Sequence, residues 1–255
     1  MLSAAQKTEF GERGLVSLRR AVPEALVAAA KAKIDASLAA DRSTGRLPYF
    51  SANSFCPDLI EDATIFALLR DSGLIDALDD LFGRRGATRC SDTAQIALRL
   101  PDDKSQPGHW GPHIDGFPAG LNTVPRGTVH RQTAIAGIYL SAARENMGNF
   151  MVWPGSHRRV AKFMRAVDAP KFLAARGAEA LLAAAMKCDL GAPEQLIVEP
   201  GDAVIAHHLL AHSVTWNLSL HPRYAVYFRL LHRDDDPGDP APLMDERRFF
   251  DGVAW

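Results

Sequence analysis

From residue 23 the apolar positions Leu26, Ala30, Ile34 and Leu38 recur every fourth residue behind a proline, and this spacing predicts an amphipathic helix over residues 23–39. Two more helices are expected over residues 58–69 and 72–82, the second ending at Gly83, a residue suited to a left-handed helix cap. After Gly86 the period shortens to two. In TAQIALRL, residues 93–100, Ile96, Leu98 and Leu100 alternate with Gln95, Ala97 and Arg99, as in a strand with one apolar face. Further strands are expected at residues 133–140, 149–153, 195–198, 203–207 and 223–231, with turn signals at Pro154-Gly155-Ser156 and Pro200-Gly201-Asp202. Short strands in such succession predict a barrel or sandwich. An alanine-rich stretch, residues 158–186, interrupts them and favours one or two helices broken at Gly177. The polar, proline-rich residues 233–242 read as an irregular segment that could lie over a barrel mouth.

This pattern is that of one domain over residues 1–255: helical support in 1–85, a strand-rich core in 86–232 with a helical insertion at about 158–187, and a closing segment, 233–255. A hydrophobic content of 47% over 255 residues suffices for one sizeable core. Lysine plus arginine (29) balances aspartate plus glutamate (30), so there is no one-signed field to gather nucleic acid or anionic lipid, and the expected partner is a small-molecule substrate. Cys56, Cys90 and Cys188 lack C-x-x-C spacing, which argues against a disulfide framework or thiolate zinc site and fits a reducing compartment. The N-terminal residues carry charges throughout, and no run of about 18 apolar residues occurs. A cytoplasmic protein without membrane contact, monomer or homodimer, is expected.

The chemistry concentrates in two stretches. In GHWGPHIDGF, His113 and Asp115 are two residues apart, and on a strand both would point to one side, where an imidazole and a carboxylate can share an ion. Alone this is a weak signal, since His-x-Asp recurs by chance. Roughly a hundred residues downstream, His212 precedes Asn217, Ser219 and Arg223. Two histidines and one carboxylate leave coordination positions open on Fe(II) for a bidentate 2-oxo acid and O2. An arginine eleven residues beyond His212, at the start of a strand, can offer a planar fork to a carboxylate. His207 and His208 compete with His212 as third ligand, and the spacing to Arg223 favours His212. His109, His130, His221 and His232 read as structural or surface residues. Gln95 and Arg99 share a strand face that could point into a barrel, where the glutamine amide could bond a cosubstrate. Residues 153–157 read as a strand ending in a tight turn. Trp110, Phe117, the loop through Thr128, Tyr49, Phe50 and the closing segment to Trp255 could line a substrate entrance.

In order along the chain, FGERGLVSLRRAVPEALVAAAKAKID, LRLP, the His113-x-Asp115 pair, GNFMVWPGSHR and the His212, Asn217-x-Ser219, Arg223 stretch resemble the phytanoyl-CoA dioxygenase-like (PhyH) branch of the Fe(II)- and 2-oxoglutarate-dependent oxygenases. The resemblance covers most of the chain. It implies a double-stranded β-helix (jelly-roll, cupin-like) core with flanking helices. It also implies iron held by the catalytic residues His113, Asp115 and His212, and 2-oxoglutarate held by Arg223. The implied reaction is O2-dependent hydroxylation of an unactivated C–H bond, with release of succinate and carbon dioxide. Related halogenases replace the carboxylate with a small residue; this chain keeps Asp115. The distal histidine of the family is commonly followed by Gly-Ser, whereas here Ser213-Val214 follows, so a hydroxyl for the cosubstrate would come from Ser213 or Thr215. Gly137 stands where several relatives carry a bulky aromatic and is expected to open space near the iron. Two other readings use the same fold. A cupin-type metalloenzyme without 2-oxoglutarate would leave Arg223 without a purpose, and a non-catalytic ligand-binding descendant would be marked by a lost ligand. A coenzyme A thioester substrate does not follow from the family's name.

Overall fold

At the N-terminus, Ser3 and Gln6 form a reciprocal capping box, with Gln6 N donating to Ser3 Oγ at 3.2 Å and Ser3 N donating to Gln6 Oε1 at 2.9 Å. They open helix α1, Ala4–Arg13. Strand β1, Leu15–Leu18, follows. Neither element announces itself by periodicity, because α1 buries only Phe10 and Gly11 and β1 is too short to alternate visibly. The computed structural model describes residues 1–42, 54–118 and 124–255; Tyr49 and Phe50 lie outside the described residues.

Helix α2, Glu24–Arg42, is the expected amphipathic helix, with Ala30 and Ile34 fully buried. The helix expected from residue 58 starts later, as α3, Ala63–Arg70, after a 3-10 turn at Pro57–Leu59. Asp62 sets that start, since its Oδ1 accepts from Thr64 N at 2.8 Å and from Ile65 N at 3.4 Å. Helix α4, Leu74–Phe82, ends on Gly83 at φ 76°, as expected.

Strand β2, Thr88–Arg99, starts earlier than its alternation, with an irregularity between Cys90 and Ala94. Then come β3 (Ala134–Tyr139), β4 (Phe150–Val152), α5 (Ser156–Ala166), α6 (Ala169–Arg176), α7 (Ala178–Ala185), β5 (Glu194–Gln195), β6 (Ala203–His207), β7 (His212–Val214) and β8 (Arg223–His232). The alanine-rich stretch makes three helices instead of one or two. Asp168 takes a left-handed φ of 51° and caps Lys171 N, starting a fresh helix where composition suggests continuity. The strand expected at residues 195–198 shrinks to the two residues of β5, and β7, which carries His212, has no counterpart among the expected strands.

The strands form an antiparallel five-stranded sheet, β1-β6-β3-β8-β2, and a three-stranded sheet, β5-β4-β7. Alternation along each large-sheet strand divides the core. Ile96, Leu98, Ala136, Ile138, Ile205, Val226 and Phe228 pack on α2, α3 and α4. The opposite face, with Ile135, Tyr139, Val204, Ala206, Ala225 and Tyr227, meets Phe150, Val152 and Leu196 from the smaller sheet. Ile114, Phe117, Met151 and Trp153 pack instead on α5 and α7. The result is the expected jelly-roll core flanked by helices.

The segment after β8 is anchored on the approach to β3 and on the inserted helices. Buried Arg131 pairs with Asp235, and its guanidinium donates to the carbonyls of Asp236 and Asp239 at 2.9 Å each. Its 3-10 turn, Ala241–Met244, buries Leu243 against the inserted helices. Trp255 lies against Phe250 and His157. Among the described residues, no helix is long and apolar enough to cross a membrane.

Candidate metal centre

His113 and His212 are brought together by backbone. Each donates its N–H to the other's carbonyl, both at 2.9 Å, in an isolated antiparallel bridge that extends the smaller sheet beyond β7. Residues directly opposite in such a bridge project to the same face, and the two rings lie with centroids 4.4 Å apart. Asp115 arrives differently from the expectation that it shares a strand with His113. The chain leaves the bridge at Ile114 and turns at Asp115 and Gly116, with Gly116 at φ +90°. The turn returns the carboxylate to the imidazoles. Asp115 Oδ1 lies 3.7 Å from His113 Nε2 and 3.5 Å from His212 Nε2.

One ligand atom from each of His113, Asp115 and His212 lies within 4.8 Å of the others, a spacing on which one metal ion can be centred. The rings are prepared for it. His212 Nδ1 faces the Leu210 carbonyl at 2.9 Å, so the proton belongs there and Nε2 presents its lone pair. Burial, followed by the charge of His212, lowers the His113 pKa to about 4, against the pull of Asp115. Burial alone would raise the Asp115 pKa; Arg229 first, then both histidines, hold it well below the ordinary carboxylate range. At neutral pH His113 is neutral and Asp115 ionised, the states a metal requires.

Arg229 is the functional residue that motif reading missed. Its Nη2 and Nε donate to Asp115 Oδ2 at 2.8 and 3.1 Å, and Nη2 also donates to Gln95 Oε1 at 3.0 Å. Oδ2 is thus held from behind while Oδ1 faces the imidazoles. The signal was present in the strand period: Arg223, Tyr227 and Arg229 have one parity on β8, so an inward Arg223 implies an inward Arg229.

The three donors lie on the wall of a cavity of about 430 Å³. Gln95, Ala97 and Arg99 of β2 line it with Ile135, Phe150, Val214, Arg223, Tyr227 and Arg229, so the polar face of β2 does point inward. Arg223 is 2% exposed; its Nε donates to Gly148 O at 2.8 Å and its Nη1 to Ala97 O at 3.3 Å. Trp110, Phe117 and Leu182 also line the cavity, Trp110 with 61% of its surface exposed. Ser213 is on the wall, its hydroxyl donating to Trp110 O at 2.7 Å. Thr215 is not: its hydroxyl accepts from Asn149 N at 2.7 Å. Gly137 opens no space, because a Cβ there would meet the Tyr227 ring at 2.6 Å; that ring fills the place.

His207 and His208 stand apart from the centre. They stack on each other at 4.4 Å, and their ring nitrogens meet backbone groups of Glu246, Leu209, Thr133 and Pro242. The turn at residues 153–157 is structural, with Ser156 Oγ accepting from Ala211 N at 2.9 Å and His157 buried. Asn217 donates to the carbonyls of Arg99 and His221, both at 2.8 Å, and builds the turn that delivers Arg223.

A family model described as phytanoyl-CoA dioxygenase (PhyH) matches residues 10–225. Among solved structures, the chain is similar to the non-heme α-ketoglutarate-dependent carbocyclase SnoK from nogalamycin biosynthesis, with 18% identity over 93% of this chain and 87% of that one and a TM-score of 0.59. It is also similar to the epimerase SnoN in complex with Fe3+, α-ketoglutarate and nogalamycin RO, at 16% identity, 94% and 88% coverage and TM-score 0.59. For HygX from Streptomyces hygroscopicus with iron bound, the values are 14%, 92% and 88%, with TM-score 0.57. No curated protein sequence matches the chain.

Proposed function

The chain belongs to the phytanoyl-CoA dioxygenase family, and on that premise we propose that it is an Fe(II)- and 2-oxoglutarate-dependent oxygenase that hydroxylates an unactivated C–H bond of a small-molecule substrate. The observation that carries this reading is the triangle of His113, Asp115 and His212 donors, within 4.8 Å, on the wall of a cavity that also contains Arg223. The donor set suits the ion, since two imidazoles and one carboxylate hold Fe(II) from one side and leave room for a chelating cosubstrate and oxygen. The cavity suits the cosubstrate, since among the described residues three arginines, Arg99, Arg223 and Arg229, line it with a single carboxylate, Asp115, which Arg229 already holds, and an anionic 2-oxo acid supplies the missing negative charge. When bound, iron and 2-oxoglutarate supply O2-dependent oxidation of a C–H bond, with succinate and carbon dioxide as co-products.

The residues of the chain do the rest. His113 and His212 present Nε2 to the ion, and Arg229 keeps Asp115 Oδ2 engaged so that Oδ1 is the ligand atom. Arg223, backed by the Gly148 and Ala97 carbonyls, is aimed at the far carboxylate of 2-oxoglutarate. Ser213 is the nearby hydroxyl, and Gln95 acts through Arg229, to which it is bonded. Phe150, Ile135 and Val214 exclude water around the centre, and substrate approaches past Trp110, Phe117 and Leu182. SnoK and SnoN bear the names of a carbocyclase and an epimerase, so the retained fold allows several outcomes. Asp115 occupies the ligand position a halide would need, which favours hydroxylation over halogenation.

The test is anaerobic addition of Fe(II) and then 2-oxoglutarate to metal-free protein, following the visible metal-to-ligand charge-transfer band. A saturable band is expected for the wild type, its loss in Asp115→Ala, and a cosubstrate requirement raised roughly tenfold or more in Arg223→Ala. Iron binding without a band would instead favour a cupin metalloenzyme that does not use 2-oxoglutarate. Absence of metal binding would favour a non-catalytic descendant.

A further inference from the structure

Arg99 and Arg223 stand directly opposite each other across β2 and β8, and both line the cavity. One residue seats them both. The Gly148 carbonyl accepts from Arg223 Nε at 2.8 Å, while a side chain on Gly148, which has φ +70°, would come within 2.5 Å of Arg99 Cβ. The Arg99 stem therefore lies on the bare face of the glycine whose carbonyl aims Arg223. Arg99 Nε is buried without a partner, and among the described residues its guanidinium takes part in no hydrogen bond or ion pair. No carboxylate among the described residues bonds this guanidinium: the charge of Asp102, which accepts from Asn217 N at 2.8 Å, acts on Arg99 without a hydrogen bond or ion pair to it, and Asp115 is held by Arg229.

Two guanidiniums in one corner of the cavity, that of Arg223 buried and that of Arg99 partly so, repel each other. Burial and then the charge of Arg223 lower the Arg99 pKa to about 10, which still leaves it charged. Such a pair is costly without an anion and strongly favourable with one, because two planar forks can share the two oxygens of a single carboxylate.

We propose that Arg99 and Arg223 form a two-arginine clamp on one carboxylate, the far end of a 2-oxo dicarboxylic acid, and that Arg99 is the residue that makes this end selective for dicarboxylic over monocarboxylic acids. The proposal rests on the oxygenase reading above for the identity of the acid, while the clamp itself is testable without iron. Glutarate, which carries both carboxylates but no 2-oxo group, is titrated calorimetrically into metal-free full-length protein. In parallel, Fe(II)-loaded protein is titrated anaerobically with 2-oxoglutarate and with pyruvate, following the visible band. Arg99→Leu is expected to weaken glutarate and 2-oxoglutarate roughly tenfold or more and to leave pyruvate unchanged, with Arg99→Lys recovering part of the loss.

Unchanged glutarate and 2-oxoglutarate affinities in a folded Arg99→Leu protein overturn the clamp, as does an equal loss for pyruvate, which would make Arg99 a general support of the site. If the leucine variant does not fold, Arg99→Lys, which keeps the charge and loses the fork, must still bind both dicarboxylates more weakly than the wild type. Arg99-dependent glutarate binding without any band upholds the clamp and refutes the oxygenase reading. A band indifferent to Arg99 does the reverse, and a wild type that binds neither acid refutes both.

Discussion

Two groups of histidines in this protein differ in fate although His208 of one and His212 of the other share one short stretch of sequence. His113 and His212 face an ionised carboxylate at 3.7 and 3.5 Å on the wall of an open cavity. His157, His207 and His208 are all but fully buried, and their ring nitrogens face the carbonyls of Gly11, Glu246, Thr133 and Pro242 between 2.9 and 3.3 Å. The charge of Asp235 acts on His208, but Asp235 is already paired with Arg131. The difference lies in the surroundings and not in the imidazole. A histidine whose neighbour is a carboxylate held by a second residue, with space beyond it, is poised for a metal. A histidine surrounded by carbonyls and aromatic rings ties chain segments together, here α1 and the C-terminal segment to the end of β6.

The sharpest way to break this contrast is to remove one member of each group. His212→Ala is expected to weaken Fe(II) binding by roughly a hundredfold or more and abolish turnover, while the metal-free protein, which loses the bond to the Leu210 carbonyl at the edge of an existing cavity, is destabilised less than by His207→Ala. His207→Ala should do the opposite. It deprives the Glu246 carbonyl and the Leu209 N–H of their partner and leaves a void beside Phe10 and Phe250. Such a loss costs roughly 2–4 kcal/mol. The protein that remains folded should bind Fe(II) as the wild type does. Calorimetric metal titration and denaturant melts of both variants decide, and a His207 variant that loses metal without losing stability would sink the division.

Arg229 sharpens the comparison, because it distinguishes the Asp115 side from the carbonyl-lined side. Arg229→Gln keeps a hydrogen-bond donor near Asp115 Oδ2 but removes the charge, and a fall of roughly tenfold to a hundredfold in metal affinity is expected, with little change in denaturant midpoint. Unchanged affinity in the metal titration would mean that the turn at Asp115 and Gly116 fixes the carboxylate unaided.

Much of this arrangement could be read from sequence, for physical reasons that also mark where reading stops. Long, strongly periodic elements such as α2, β3 and β8 follow from alternation and burial, and β6 falls on its expected bounds, residues 203–207. The spacing from His212 to Arg223 selected His212 over His207 and His208, the same residue that now stands beside Asp115. What failed depends on contacts distant in sequence. Strand β7 is three residues held by a neighbouring strand and an isolated bridge, with no period to detect. The space expected at Gly137 is filled by Tyr227 from the neighbouring strand, and Thr215, two residues from Ser213, is drawn off the wall by Asn149. Arg229 carries no motif, only the parity of its strand.

The buried trio should also leave a smaller, pH-dependent signature with a fixed sign. Burial is the leading cause that lowers His157 and His208 to about 4 and His207 well below its ordinary value of 6.5. The folded state therefore refuses protons that the unfolded chain accepts below about pH 6.5. Stability is complete above that pH, falls as the pH drops through the window from 6.5 to about 4, and stops falling on account of His157 and His208 below it. Each such histidine contributes roughly 1.4 kcal/mol per pH unit within the window. Glu246, whose own lowered pKa adds a loss of the same sign, acts only below its ordinary value of 4.5, whereas His113, lowered to about 4, and His232, also lowered by burial, add to the slope between pH 7 and 5. The trio's share is therefore read as the difference in slope between wild type and variants of the trio in denaturant melts of metal-free protein. His157→Gln removes one proton acceptor whose Nδ1 has no partner, and should flatten the slope by about one histidine's share. A slope between pH 7 and 5 that is the same in His157→Gln as in the wild type would mean that His157 is charged in the folded protein.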